Sequence, residues 1–312
     1  MVGEECEHYG AEEQAPNRSY SILEIARLEP LLICDSSVNG VGNALSSLYE
    51  LRNYGRMNGE IAEAMKRSIG SISDFIGALR EDSVKVTDEV YAEIRRGLEI
   101  LGDKQRYLNS ATGRSGRRSR KGEDINYRYG KQLVDGLSSA WYALAEACKR
   151  KRLAPSDVCR ASVELVMYME GVMRLKAGKP QHSEANGNCD DLRTDERLLG
   201  MAIGKALEGQ PAAIATRDAD FCYMMPIYSS LIMCPELDEP WLARRLREKP
   251  VTLYKAGNDS ATYTRVASTA DIKACGKFVA RSLSERDNRI FKCNVKKILI
   301  GLRRLLGSDV CA

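Results

Sequence analysis

Residues 30–37, PLLICDSS, decide the fold class. Four apolar residues in a row, Leu31, Leu32, Ile33 and Cys34, run straight into Asp35. An unbroken apolar run of this length predicts a strand buried on both faces, with the acid marking its exit from a parallel sheet. A second stretch of the same build, PAAIATRD over 211–218, ends at Asp218. A third, SVKVT over 83–87, is short and β-rich and leads into DEVYAEIRRGLEIL, a helix with Asp88 and Glu89 where its dipole favours them. Strands alternating with helices predict an α/β fold with three layers, α/β/α, around a central and mainly parallel sheet, plus inserted helices. In such sheets sites form beyond the carboxyl ends of the strands, so Asp35 and Asp218 are both candidates for one crevice.

Helical periodicity covers 41–80, through Leu45, Leu48, Leu51, Ile61, Ala64 and Met65. Further helices are expected around 127–150 and 156–176, the second capped by Ser156 and opened by Asp157. DLRTDERLLGMAIGKALEG (191–209) is a helix ended by Gly209, and WLARRLREK (241–249) is another. VTLYKAGN and ATYTRVAS, at 251–258 and 261–268, form a hairpin. NVKKILIGLRRLLG (294–307) places Val295, Ile298, Leu299, Leu302, Leu305 and Leu306 on one helical face. The organisation read from this is a disordered acidic tail over 1–19, a domain over 20–256 with a basic loop and helical insertion at about 102–180, and a basic extension over 257–312 ending in the amphipathic helix. That helix is expected to offer a surface to a second copy or a protein partner.

Composition narrows the chemistry. No run of about 18 uncharged apolar residues occurs, which excludes a membrane-spanning helix, and no export signal opens the chain. The expected location is cytoplasmic, with the 10 cysteines as thiols; none forms a C-x-x-C pair. Only His8 and His182 carry imidazoles, both in polar segments, so acid–base or metal chemistry falls to carboxylates. The net charge of +4 is polarised: residues 241–312 hold sixteen Lys/Arg against six Asp/Glu, a net of +10, and residues 1–240 carry −6. Arg114, Arg117, Arg118, Arg120 and Lys121 lie in the glycine- and serine-rich run TGRSGRRSRKG (112–122). That composition reads as a solvated loop, and its charge suits a phosphate backbone. The run Lys149, Arg150, Lys151 and Arg152 suits a helix C-terminus. Met167, Met169, Met173, Met224, Met225 and Met233 read as core filler, and Tyr223, Tyr228 and Tyr254 as buried rings rather than stacking platforms.

Four segments deliver acids to defined places: Asp35, Glu93, Asp195 and Asp218. Singly, each also suits a cap, a turn or a solvated face. Gathered, they would repel unless a cation neutralised them, and hard oxygen donors suit Mg²⁺ or Mn²⁺. These segments resemble the PIN-domain family of metal-dependent ribonucleases. LLICDSSV (31–38) is similar to the family's first strand, with Asp35 as the first acid and Ser37 at the polar position. VTDEVYAEIRR (86–96) is similar to its second strand and following helix, with Glu93 as the second acid. TDERLLGMAIGKALEGQPAAIATRDADF (194–221) resembles its most recognisable stretch, with Asp195, Ala202, Thr216 and Asp218 in place and Asp220 as an accessory acid. The resemblance covers about 29–101 and 190–235, and it is divergent: 102 positions separate Glu93 from Asp195. Glu89 competes with Glu93, and Asp190 and Asp191 with Asp195.

The resemblance implies a Mg²⁺- or Mn²⁺-dependent endoribonuclease, a hydrolase acting on RNA, with Asp35, Glu93, Asp195, Asp218 and Asp220 around the metal. The alternative is a non-catalytic PIN-like RNA-binding or assembly protein. A haloacid-dehalogenase-type phosphate site would need an Asp where Ser37 stands, and no G-x-x-x-x-G-K-[ST] phosphate loop is present.

Overall fold

A computed structural model describes residues 18–39, 59–115, 121–176, 194–256, 261–280 and 283–307, with side chains described outside 103–128 and 174–176. The chain is α/β, and its contacts divide it into two compact units.

One unit comprises Ile22–Leu28 and Leu32–Ala154. It contains α1 (Ile22–Leu28), β2 (Leu32–Cys34), a 3-10 turn (Ser36–Asn39), α2 (Gly59–Ala78), β3 (Val84–Lys85), α3 (Asp88–Ser115) and α4 (Lys121–Arg150). Every residue of β2 is buried, as its unbroken apolar run requires. β2 and β3 pair in parallel, Leu32 opposite Val84 and Ile33 opposite Lys85. Beyond β3, Val86 bridges to Arg152. Helix α2 buries Ile61, Met65, Ile72 and Phe75, and packs against α1 and α4. Trp141 of α4 is fully buried against α3, where its Nε1–H donates to the Ile94 carbonyl at 3.0 Å. Gly97 makes room for it: a Cβ there would lie 2.1 Å from the indole Cζ2.

The helices α3 and α4 narrow the basic loop. Composition places the start of that loop at residue 112, yet α3 continues to Ser115 and α4 starts at Lys121. Once nucleated, a helix extends one hydrogen bond per residue, so Gly113 is carried along in spite of its poor propensity. Arg114 and Lys121 therefore belong to helix ends, while Arg117, Arg118 and Arg120 lie outside the described residues.

The second unit holds residues 29–31 and the chain from 155 onward, together with 18–21. Its elements are β1 (Ser19–Tyr20), α5 (Asp157–Lys176), α6 (Thr194–Leu207), β4 (Ala212–Thr216), α7 (Phe221–Ile232), α8 (Pro240–Glu248), β5 (Val251–Ala256), β6 (Tyr263–Ser268) and α9 (Glu285–Leu306). Ser19, expected to end the acidic tail, is already paired with Thr264 in β1. β4 and β5 run parallel, and β5–β6 is the expected antiparallel hairpin. The ladder shifts between Leu253 and Tyr254, so Val266 is skipped and left partly exposed. Ser156 caps α5 as expected, its Oγ accepting from the Cys159 N–H at 3.1 Å. Gly209 ends α6 at φ +100°, a conformation that favours glycine.

Close approach of α5 and α6 depends on small residues. A Cβ on Gly200 would lie 2.4 Å from the Val163 Cα, and one on Gly204 2.6 Å from the Cys159 Cα. α9 packs on α5 through Phe291, Val295, Leu299 and Leu302. Leu305 departs from the expected stripe: it is 49% exposed. Among the described residues, no helix is long and apolar enough to cross a membrane.

Candidate active site

In the first unit the acid follows the strand as expected. Asp35 comes directly after β2 and is only 3% exposed. A carboxylate so buried needs hydrogen-bond donors. The Ser36 hydroxyl donates to Oδ1 at 3.4 Å, and the Ser37 hydroxyl donates to Oδ2. Ser37, the polar position of the first-strand motif, thus touches the acid itself. Burial first, then the neighbouring Cys148 and Asp35, hold the Cys34 thiol well above its ordinary pKa. Glu93 sits half-buried on α3, and Glu89, one turn earlier, is half-buried too. Both remain candidates for the second acid. Asp88 is exposed and pairs with Arg152 at 2.6 Å.

In the second unit β4 ends in a double turn. Thr216 is fully buried, and its Oγ1 accepts the Asp218 N–H at 2.9 Å. Asp218 Oδ1 accepts the Asp220 N–H at 2.9 Å, and α7 begins at the next residue. Side chains that bond backbone N–H groups two positions on make such turns rigid. Asp218 is half-buried and Asp220 exposed. Asp195 lies half-buried in the first turn of α6, where the dipole favours an acid. Its neighbour Glu196 is the more buried of the two, at 3%. Asp190 and Asp191 lie outside the described residues, as do His8 and His182.

Two residues without a motif join this end of β4. Lys255 on β5 is the ladder partner of Thr216. Its ammonium and the Asp218 carboxylate both lie within electrostatic reach of the Cys222 thiol at the start of α7. Burial raises the Cys222 pKa, Lys255 opposes the rise and Asp218 adds to it. Nothing in VTLYK singles this lysine out; the one sequence signal is its place near the carboxyl end of a strand that follows another ending in an acid.

Elsewhere one expectation changes, and part of the C-terminal charge is paired. Tyr228 and Tyr254 are buried, bonded to Glu170 and Glu29, but Tyr223 is 67% exposed because it faces outward from the first turn of α7. In the C-terminal basic region Lys297 and Arg304 are exposed, whereas Lys296 and Arg303 lie 3.8 and 3.7 Å from Asp238 and Glu239. Those acids draw part of the basic surface into intramolecular pairs.

The donors on these turns are carboxylate and hydroxyl oxygens, the chemistry of a hard divalent cation. Among the described residues no group of three or more His, Cys, Asp or Glu side chains is assembled to hold a metal. Mg²⁺ commonly takes one or two carboxylates and keeps its remaining positions for water and substrate phosphate, so the donor type fits. Comparisons with protein-family models, curated proteins and solved structures return no match.

Proposed function

We propose that the chain is a Mg²⁺- or Mn²⁺-dependent endoribonuclease with a PIN-like, three-layer α/β/α architecture. The candidate ligands in this reading are Asp35, Glu93, Asp195 and Asp218, with Asp220 assisting. The observation that carries this reading is the turn after β4, where the buried Thr216 hydroxyl fixes the Asp218 backbone at 2.9 Å. A Thr-x-Asp turn of this kind presets a carboxylate at a strand's carboxyl end, where α/β sites form. The buried Asp35 after β2, held by two serine hydroxyls, supports the same reading.

Within it, the chain's own groups have separate tasks. Thr216 orients Asp218, and Asp218 Oδ1 holds the start of α7 through the Asp220 N–H. Ser36 and Ser37 hold the Asp35 carboxylate in place by donating to it. When bound, the ion supplies Lewis acidity at a phosphodiester. Basic segments offset the repulsion between clustered acids and the RNA backbone.

The test is a Mn²⁺ titration of the full chain by calorimetry, beside cleavage of a labelled RNA. Wild-type protein is expected to bind Mn²⁺ and cleave, and Asp218→Asn to lose both while melting as a folded protein. Wild-type protein that binds RNA but neither binds Mn²⁺ nor cleaves would replace this reading with the non-catalytic RNA-binding or assembly protein.

A further inference from the structure

The carboxyl ends of β4 and β5 bring a cation beside the Thr216–Asp218 turn, 39 positions away in the chain from Thr216. Thr216 and Lys255 are direct partners in a parallel ladder, and partners in such a ladder present their side chains on the same face. Asp218 follows Thr216 by two positions and is bonded back to it. Cys222 lies at the start of α7 four positions later, within electrostatic reach of both Lys255 and Asp218. The lysine is half-buried, at the carboxyl end of β5 beside the Thr216–Asp218 turn. A compact, half-buried positive charge on a strand end is suited to one phosphate oxygen.

We propose that Lys255 binds a phosphodiester oxygen of the nucleic acid beside Asp218, and so sets which phosphate meets the acids. The proposal rests on the ribonuclease reading for its substrate, RNA, but it is tested by binding and not by cleavage. A phosphate held here would give the ammonium a charged acceptor, which a lysine favours strongly. The remote basic segments would hold the strand as a whole, and Lys255 would hold one phosphate of it.

The experiment uses the full chain and a fluorescein-labelled RNA oligonucleotide, followed by anisotropy without divalent metal, from about 50 to about 200 mM salt. Four variants are compared with wild type: Lys255→Met, which keeps the stem and removes the charge, Lys255→Gln, Lys255→Arg and Cys222→Ser. Lys255→Met and Lys255→Gln are expected to weaken binding and lower the log–log salt slope by about 0.7, the value for one phosphate of a single strand left without its cation. Lys255→Arg is expected to keep the slope, and Cys222→Ser to leave it unchanged. Mn²⁺ affinity, measured separately by calorimetry, is expected not to fall in any Lys255 variant, since a cation near Asp218 opposes metal binding. Unchanged slope and affinity in the folded Met and Gln variants would overturn the proposal, even if wild-type protein cleaves RNA. A lowered slope in a protein that binds no Mn²⁺ would uphold the phosphate site while the ribonuclease reading fell. Wild-type protein with no affinity for RNA would overturn both.

Discussion

The Asp218 backbone N–H donates to the fully buried hydroxyl of Thr216 at 2.9 Å, so the orientation of the acid after β4 depends on one threonine oxygen. Valine at 216 fills the same volume without an acceptor. Thr216→Val is expected to lower stability by about 1 kcal/mol, the net value of one such bond, and to reduce metal-dependent RNA cleavage. Thr216→Ser should keep both. Chemical denaturation and a cleavage time course check the pair, and equal activity in Thr216→Val and wild type would show that the turn does not orient a working acid.

Asp35→Asn keeps the shape of a 3% exposed side chain and removes its charge. Cleavage should disappear with the secondary structure intact by circular dichroism, since the substituted amide still accepts from Ser36 or Ser37 through its oxygen. Full RNA cleavage in this variant would remove Asp35 from the site.

Glycine substitutions separate packing from propensity. Gly200→Ala drives a methyl to within 2.4 Å of the Val163 Cα, which is backbone and has no rotamer to yield. A destabilisation of about 1–3 kcal/mol or more is expected as α5 and α6 are forced apart. Gly70 and Gly77 lie in α2 with nothing within 4 Å of an added Cβ. Alanine at either should stabilise by about 0.5–1 kcal/mol. Thermal melts of the three variants should therefore shift in opposite directions; a destabilised Gly70→Ala would contradict the α2 packing.

The pH dependence of stability has a definite sign at the alkaline end. Burial pushes the Cys148 thiol from 9.0 up to about 12. The unfolded chain ionises this thiol first, so its contribution is complete below pH 9 and is lost as pH rises from 9 towards 12. Cys34, buried beside it, acts in the same direction. Melting temperature should therefore fall above pH 9, and fall less steeply in Cys148→Ala. Parallel pH profiles for the two proteins would show that the thiol is not the source.

Charge removal tests the basic run between α3 and α4. Replacing Arg114, Arg117, Arg118, Arg120 and Lys121 with Ser should weaken RNA binding and lower the salt slope by roughly 0.7–0.9 for each phosphate that is no longer neutralised. Mn²⁺ affinity should not move. An unchanged slope would confine these cations to keeping the connection solvated.

Much of the fold was legible because burial on both faces writes an unbroken apolar run, as in Leu31–Cys34 and Ala212–Ala215. Local rules also placed the Ser156 cap, the Gly209 terminus and the β5–β6 hairpin, since each involves groups close together in the chain. The acids after β2 and β4 were visible for the same reason: a strand end is a local event. The surroundings of side chains were not. Tyr223, Tyr228 and Tyr254 are alike as letters, yet one is exposed and two are buried on carboxylates, because exposure depends on which elements pack against each ring. Lys296 and Arg303 are cations of an amphipathic helix in sequence, and α9 brings them near Asp238 and Glu239. Lys255 carries no motif at all. Strand register sets it opposite Thr216, and register is a property of two segments 39 positions apart that neither specifies alone. The sequence by itself therefore determined the element types and the acids at their ends, through short-range periodicity and turn chemistry. Only the tertiary structure decided which charges meet, because that is settled by pairing and packing between residues distant in the chain.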